Sequence, residues 1–528
     1  MRREKWKRAG AALTLAAMVV SMSACSPNQK GPGGSKDTEA NGKLFAEPTE
    51  LSIAISSDST WPNRDDWKLW QYLREATGAT FKVQAIPSED YFTKVSLMMS
   101  ARDTLPDLLH ITQKKMVDQN ANMGALLAYD DNLEKLPNYQ KFLSTLSEAE
   151  AKDVVDTHRC ADGKIYNAPA YGTQTVNNAR AWMYRKDIFE KHNLKVPDNY
   201  DELYEVCKQL KKLYPDSYPL CFRNGFTQIR MMGPQWKPYH SFDIYYDFEA
   251  KKWVYGAAEP VTRDLVEWLA MMSKEGLAPP NMVDIKTKEW EELISSDRGF
   301  ITLDYIVRID YFNLMLQKDG NPFTLAIMQP PKKSATEGYH KMCKMGLDLS
   351  GYAVCNTGKE KNIENAFKLV DWMFTDEAAD LLSWGKEGET YEVKDGQRRF
   401  ILPKPDDTPR GLYGISSFGL YQRLYPEAYE ATYSPEQMKA CQEATQYLED
   451  YVNPMWWLSF NDEENSRVAD LDLELGNYSR EWIGKFIAGQ EPLSKWDQFV
   501  AGMKEFNVDE YLALYETAYK RALGESKK

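Results

Sequence analysis

Catalytic signatures are missing from this 528-residue chain: it has no HExxH, no GxSxG, no glycine-rich phosphate loop and no CxxC pair. Metalloprotease, serine-hydrolase, nucleotide-binding and zinc-cluster chemistry therefore have no motif to rest on. Histidine is scarce, and its five residues (His110, His158, His192, His240 and His340) are scattered along the chain. The acidic turns DDNLE and DEENS lack the spacing of a calcium loop. Positive charge is short as well: 65 Lys and Arg against 78 Asp and Glu leave a formal net charge of −13. That balance argues against a nucleic-acid partner and against electrostatic attraction to anionic lipid. Among the acids no motif singles out a pair for glycoside hydrolysis. Beyond the N-terminus no stretch reaches 18 apolar residues, so nothing there reads as a membrane span. Internal repeats and low-complexity blocks are also absent.

What is present begins with a charged start. Arg2, Arg3, Lys5, Lys7 and Arg8 precede an uncharged, mostly apolar run over 9–24, the layout of a secretory leader and too short for a permanent span. Met22, Ser23, Ala24 and Cys25 resemble the lipobox of bacterial lipoproteins, which makes Cys25 the expected lipidation site. An ordinary cleaved leader with an incidental cysteine is the alternative. Residues 25–49 are rich in Gly, Ser, Pro and charge without apolar periodicity, and read as a flexible tether. Loss of residues 1–24 removes five basic residues and one acid, leaving a mature charge of about −17. The anchor would then be the acyl chains alone.

Six further cysteines (Cys160, Cys207, Cys221, Cys343, Cys355 and Cys441) are sparse, and their spacing leaves open whether any disulfide forms. Fifteen Trp and 31 Tyr suit cores as well as binding surfaces. The mature length calls for two or more domains.

The pattern from 51 to 111 is strand–helix–strand–helix–strand: LSIAIS, DDWKLWQYLREATG, TFKVQAIP, DYFTKVSLMMSARD and LPDLLHI. Such alternation predicts a doubly wound, mostly parallel sheet with ligands beyond the carboxyl ends of its strands, here 57–63 and 110–113. A second αβ run covers 179–215, where Asn199 and Glu202 form a capping-box pattern ahead of a helix face of Leu203, Val206, Cys207, Leu210 and Leu213. A hairpin over 245–256, a helix ending at Gly276 and a strand around GFITLDY follow. The last 70 or so residues read as amphipathic helices.

Seven phrases in order (LPDLLHI, DGKIYNAPAYG, MYRKDIFEKHNLKVPDNYDELYEVCKQLKK, EGLAPP, GFITLDY, the run from GYAVCNTG to WGKEG, and IAGQEPLSKWDQFVAGMKEFNVDEYLALYETAYKR) resemble the family 1 extracellular solute-binding proteins. These are the substrate-capturing lipoproteins of bacterial ABC importers. The likeness is strongest to the Gram-positive subgroup that serves complex-carbohydrate uptake, and spans about residues 50 to 525.

The resemblance implies an α/β, two-lobed periplasmic-binding-protein-like fold (type II). Each lobe should be a doubly wound, mostly parallel sheet, with the hinge crossed by two strands, YNAPAYG and LDLSGYAV. The expected division is 1–24 leader, 25–49 tether, 50–168 and 349–412 first lobe, 169–348 second lobe, and 413–528 a helical region packed on the second lobe and hinge. Ile188 and Phe189 depart from the usual acid and aromatic of the family. The calcium loop of some alginate-binding relatives is not evident between 187 and 202, so no metal or cofactor is expected.

Function follows from the same likeness: a non-enzymatic monomer, lipid-anchored outside the cell membrane, that captures an oligosaccharide and passes it to an ABC permease. A peptide or other polar solute is the alternative ligand, and a cell-surface glycan-processing enzyme the alternative class. Sugars require aromatic platforms and planar polar groups. Trp61, in a polar loop with Asp58 and Asn63, is the leading candidate, set against a tryptophan that merely caps the lobe edge. Trp456 and Trp457 occupy the late loop where maltose-binding relatives stack an aromatic pair on sugar. Trp384 reads equally as a lobe contact. Trp236, Asp304 and Tyr305 on the second lobe, Thr112 and Gln113 after the third strand, and Tyr171 at the first crossing complete the candidates. Arg185 and Asp187 read as a salt bridge internal to their lobe.

Overall fold

The structure, a computed structural model, describes residues 42–58, 61–118, 124–172, 180–317, 320–344, 349–404, 407–417 and 419–525. The leader, Cys25 and most of the expected tether lie outside the described residues.

The first lobe forms where the alternation expects it. Strand β1 (Thr49–Ser57) buries Leu51, Ile53, Ala54 and Ile55, as a strand covered on both faces must. It pairs in parallel with β2 (Ala79–Pro87) and β3 (Leu108–Ile111). Between them the helix Lys68–Thr77 buries Leu69, Trp70, Tyr72 and Leu73 and stops at Gly78. There φ is +74°, and an added Cβ would lie 2.8 Å from the Phe45 carbonyl oxygen, so glycine is required. Asp107 ties the layers together: its carboxylate accepts from the Ser52 N–H (2.8 Å), the Ser52 hydroxyl (2.7 Å) and the Asn362 amide (2.9 Å).

The second lobe departs from the expectation in strand direction. Strand β4 (Arg180–Arg185) is central, flanked by β7 (Ile301–Tyr305) and β8 (Leu325–Met328), and runs antiparallel to both. Parallel contributions are confined to isolated bridges, among them Leu220–Ile301 on the far side of β7 and Asn199–Lys332 beyond the end of β8. The hairpin of β5 (Ile244–Asp247) and β6 (Lys252–Tyr255) stands apart as expected. Asn199 caps the helix Tyr200–Leu213 by accepting from the Glu202 N–H at 3.0 Å. Glu202 reaches back to the Asp198 N–H instead of that of Asn199, so the box is displaced by one residue. Arg185 and Asp187 form a buried bidentate pair (2.9 and 2.7 Å) inside this lobe.

At the hinge, 166–170 runs antiparallel to 350–352, with Ala168 N–H to Tyr352 O and Ala170 N–H to Ser350 O both 2.9 Å. Strand β9 (Gly351–Val354) then joins the first sheet beside β3, giving the order β2-β1-β3-β9. A third segment completes the hinge where two were expected. Tyr171 N–H donates to Gln422 O and Leu424 N–H to Tyr171 O, each at 2.8 Å. The fully buried Gln422 side chain donates to Ala168 O and accepts from Tyr352 N–H, again at 2.8 Å.

That third segment also corrects the C-terminal boundary. Tyr413, Ile415, Leu420, Tyr421, Leu424 and Tyr429 belong to the first-lobe core rather than to the helices on the second lobe. Only after Tyr433 does the chain join the second core, where the helix Asp462–Ile487 buries Leu471, Leu475 and Ile483. Within the segment 453–461, which packs on the second core through Leu458 and Phe460, Ser459 reaches the first lobe by donating to the Arg159 carbonyl at 2.7 Å. The six described cysteines are all free thiols, and Cys207 is fully buried. Among the described residues no helix is long and apolar enough to cross a membrane.

Candidate functional site

Between the two lobes, beyond the carboxyl end of β1, lies a cavity of about 860 Å³. The first lobe contributes the loop after β1 and the turns around 407–421. The second contributes the end of β7, the helix Arg308–Leu316 and residues 433–441. This is the crevice position that an open α/β sheet reserves for ligands.

Trp61 lies on the wall, half-buried and held from several sides. Its N–H donates to Asp58 Oδ1 (3.2 Å), and two residues on, the Asn63 N–H donates to Ser57 Oγ (3.0 Å). The Arg410 guanidinium sits 5.2 Å from the Trp61 ring centroid, a cation–π distance that fixes the ring plane. Arg410 also donates to the Ser416 carbonyl at 3.0 Å. The Asn63 side chain lines the cavity too, but its carbonyl is engaged by Trp70 Nε1 at 3.1 Å.

Facing this wall is Tyr305. Its hydroxyl accepts from Arg180 at 2.6 Å, and the same guanidinium lies 4.1 Å from its ring. Asp304 is one residue earlier and therefore on the opposite face of the strand. It is fully buried, accepting from Arg223 at 2.9 Å, and lies outside the cavity. Adjacent residues of one strand thus divide into one cavity group and one structural ion pair.

The rest of the lining escaped the sequence reading. Tyr311 and Asp310 come from the helix Arg308–Leu316, and Tyr421, Tyr429 and Tyr433 from the third hinge segment and its continuation. Asp310 accepts from the Ser434 N–H at 2.8 Å and from its hydroxyl. Burial pushes its carboxyl above the ordinary carboxylate value, and the Ser434 hydrogen bonds oppose that rise. Ser416 Oγ, Ser417 Oγ and Gln437 Oε1 are buried on this lining with no hydrogen-bond partner among the described residues. Ser416 also has φ of +55°, a costly conformation for a residue with a Cβ. Buried polar atoms are nearly always satisfied, so three together on one cavity mark a place built for a polar guest.

The signal in the sequence was the spacing of Tyr421, Tyr425, Tyr429 and Tyr433, four residues apart. That spacing reads as one face of a helix. The backbone there is extended through the hinge and helical only over Pro426–Glu430, which brings Tyr421, Tyr429 and Tyr433 to the cavity and sends Tyr425 to the small core around Trp384.

Other candidates lie elsewhere. Trp384 is buried and stacks on Phe400 at 4.9 Å, in a small satellite core with Tyr391. Trp236 packs edge-on against Tyr200 at 5.0 Å, and Trp457 leans on the second core beside Tyr519. Tyr171 is a hinge residue whose ring meets Phe142 at 5.0 Å. The Thr112 hydroxyl donates to Met116 Sδ at 3.2 Å, and Gln113 is exposed; neither lines the cavity. The Trp456 side chain lies outside the described residues. Among the described residues no cluster of three or more His, Cys, Asp or Glu is placed to hold a metal ion.

Comparison with known proteins agrees with this architecture. Lipoprotein LipO of Bacillus subtilis strain 168 is 23% identical over 410 residues, covering 75% of this chain and 74% of that one. The alginate-binding protein AlgQ2, solved without calcium ion, superposes with a TM-score of 0.73 at 21% identity, covering 91% of this chain and 99% of AlgQ2. The substrate-binding protein FusA of S. pneumoniae in complex with kestose gives 0.72 at 16% identity, covering 90% and 100%. Matched by the family model over residues 64–380, well over half its length, the chain belongs to the bacterial extracellular solute-binding proteins.

Proposed function

We propose that this protein captures an oligosaccharide outside the cell in the interlobe cavity and delivers it, as a monomer and without chemical change, to the permease of an ABC importer. The observation that carries the reading is the composition of the cavity wall. Trp61 from the first lobe and Tyr305 and Tyr311 from the second offer ring faces for sugar C–H surfaces, while Ser416, Ser417 and Gln437 offer unpartnered polar atoms for hydroxyls. Solute-binding relatives of the same fold, solved with kestose or named for alginate, add support. Hinge closure about the three crossing segments would exclude water from the bound sugar, and the permease would recognise that closed form.

A thermal-shift screen of the purified chain against glycan and peptide panels tests the ligand class. Sugars are expected to stabilise the protein, and Trp61→Ala to weaken the best of them by about tenfold to a hundredfold, the ~1.5–3 kcal/mol of one buried aromatic face. Stabilisation by peptides alone would sink the carbohydrate reading.

We further propose that Cys25 carries a lipid after removal of residues 1–24. The basic start, the apolar run and the Met22–Cys25 sequence support this, as does a relative named as a lipoprotein. Cys25→Ser is expected to move the protein from the membrane fraction into the medium. Continued membrane retention of that variant, or mass spectrometry showing an unmodified Cys25 in the native protein, would refute the anchor.

A further inference from the structure

We infer that the cavity sorts glycans by charge: it admits neutral and amine-bearing oligosaccharides and excludes uronates and other anionic sugars, with Asp310 as the specificity-determining residue. This rests on the sugar-binding reading and narrows it.

Three carboxylates reach the lining from three separate elements: Asp58 after β1, Asp310 on the helix Arg308–Leu316, and Asp407 ahead of the helix Pro409–Tyr413. Against them stands one cation. Arg410 is the only Lys, Arg or His among the described lining residues, and its guanidinium is committed to the Trp61 ring and the Ser416 carbonyl. Arg308, two residues before Asp310, engages Asp304 and Glu291 at 3.9 Å and the Tyr311 ring at 5.2 Å, and is not itself a lining residue. Among the described residues Asp310 has no cationic partner within ion-pair distance. The Ser434 N–H and hydroxyl orient its carboxylate without adding a charge to balance it.

A neutral hydroxyl can donate to such a group, and a protonated amine gains from it. A second carboxylate brought within a few ångströms is repelled through a partly desolvated medium, where Coulomb terms are several times larger than in water. Arg410 belongs to the platform and cannot swing out to compensate without releasing Trp61.

The test is calorimetric titration of the purified full chain with trisaccharides matched in length: neutral, amino-sugar and uronate. Uronates are expected to bind at least about tenfold more weakly than their neutral counterparts. Asp310→Asn keeps one acceptor oxygen for the Ser434 N–H and turns its amide to the hydroxyl, and is expected to narrow the ratio of neutral to uronate affinity by about tenfold, the ratio being the readout whatever happens to neutral binding itself. Should that variant not fold, repeating the wild-type uronate titration in about 0.5 M salt should recover several-fold of the lost affinity, since salt screens a charge-based exclusion. Uronates that match or beat neutral sugars would overturn the inference and leave sugar binding standing. A folded Asp310→Asn with an unchanged gap would remove Asp310 from the role. If no trisaccharide of any class binds, the sugar-binding reading itself fails, and the charge rule falls with it.

Discussion

Gly351→Ala is expected to lower the unfolding free energy by on the order of 4–6 kcal/mol, one of the larger losses a single methyl group can cause. The methyl would arrive 1.6 Å from the Ala168 carbonyl oxygen and 3.3 Å from Gln422 Nε2, at a backbone φ of +152°. The carbonyl is backbone, and Gln422 Nε2, though the end of a side chain, is held by its hydrogen bond to that same carbonyl. The carbonyl of Ala168 is held by Gln422, which in turn accepts from Tyr352, so the three crossing segments must separate to make room. Gly358→Ala is the control. Its φ is also positive, at +70°, but no atom lies within 4 Å of the added Cβ, so only the backbone cost of about 1–2 kcal/mol remains. Chemical denaturation of both variants gives the comparison. Equal losses would show that the close hinge approach is not real. A folded but loosened Gly351→Ala is also expected to bind its ligand more weakly, because the geometry of closure is set at this crossing.

The second large effect is a loss of stability toward alkaline pH that comes from Glu449, opposed below about 6.5 by His110, His158 and His240, which burial pushes down to about 3, 4 and 3. Glu449 is 5% exposed, and burial raises its carboxyl from 4.5 to about 8, with the Tyr239 N–H and Lys341 opposing the rise and Asp450 adding to it. A group whose folded pKa lies above its unfolded value holds its proton in the native state after the unfolded chain has released it. Its stabilising contribution is therefore complete below about pH 4.5 and is lost as pH rises through about 8. The cost on the alkaline side amounts to on the order of 3–5 kcal/mol. Glu449→Gln keeps an acceptor for Tyr239 and cannot ionise. It is expected to be more stable than the wild type at pH 9, with the difference between the two stability profiles growing from about pH 4.5 to about 8. If the two profiles stay parallel across that range, Glu449 titrates normally and the segment 447–450 is wetter than its packing indicates. Lysine is the opposite control: Glu449→Lys should destabilise at every pH where the amine is charged, since it buries a cation beside Lys341.

How far the site was legible depended on the distance over which each residue's environment is set. Trp61, Asp58 and Asn63 follow a buried strand in a polar loop, and strand-end position alone brings them to the crevice. Tyr305 is reached by the same rule, but its neighbour Asp304 is not, because alternation along β7 sends consecutive side chains to opposite faces. Trp384 reads in sequence equally as a cleft residue and as a lobe contact, and the structure makes it a contact. Its burial comes from Phe400, brought back by a hairpin whose packing no local pattern announces.

By itself the sequence determined the order of strands and helices in the first lobe, because apolar periodicity and glycine stops act over a few residues and survive in any tertiary setting. The same local chemistry carries the basic and apolar pattern of residues 1–24 on which the proposed leader rests. Strand direction in the second lobe, the third hinge crossing and the tyrosine wall were decided only by the folded structure. Each depends on which distant backbone a segment meets: β4 receives β7 and β8 from more than a hundred residues downstream, and Gln422 finds Ala168 and Tyr352 across the hinge. A four-residue tyrosine spacing carries no record of those partners, so it reads as a helix face until the hinge pulls its backbone straight.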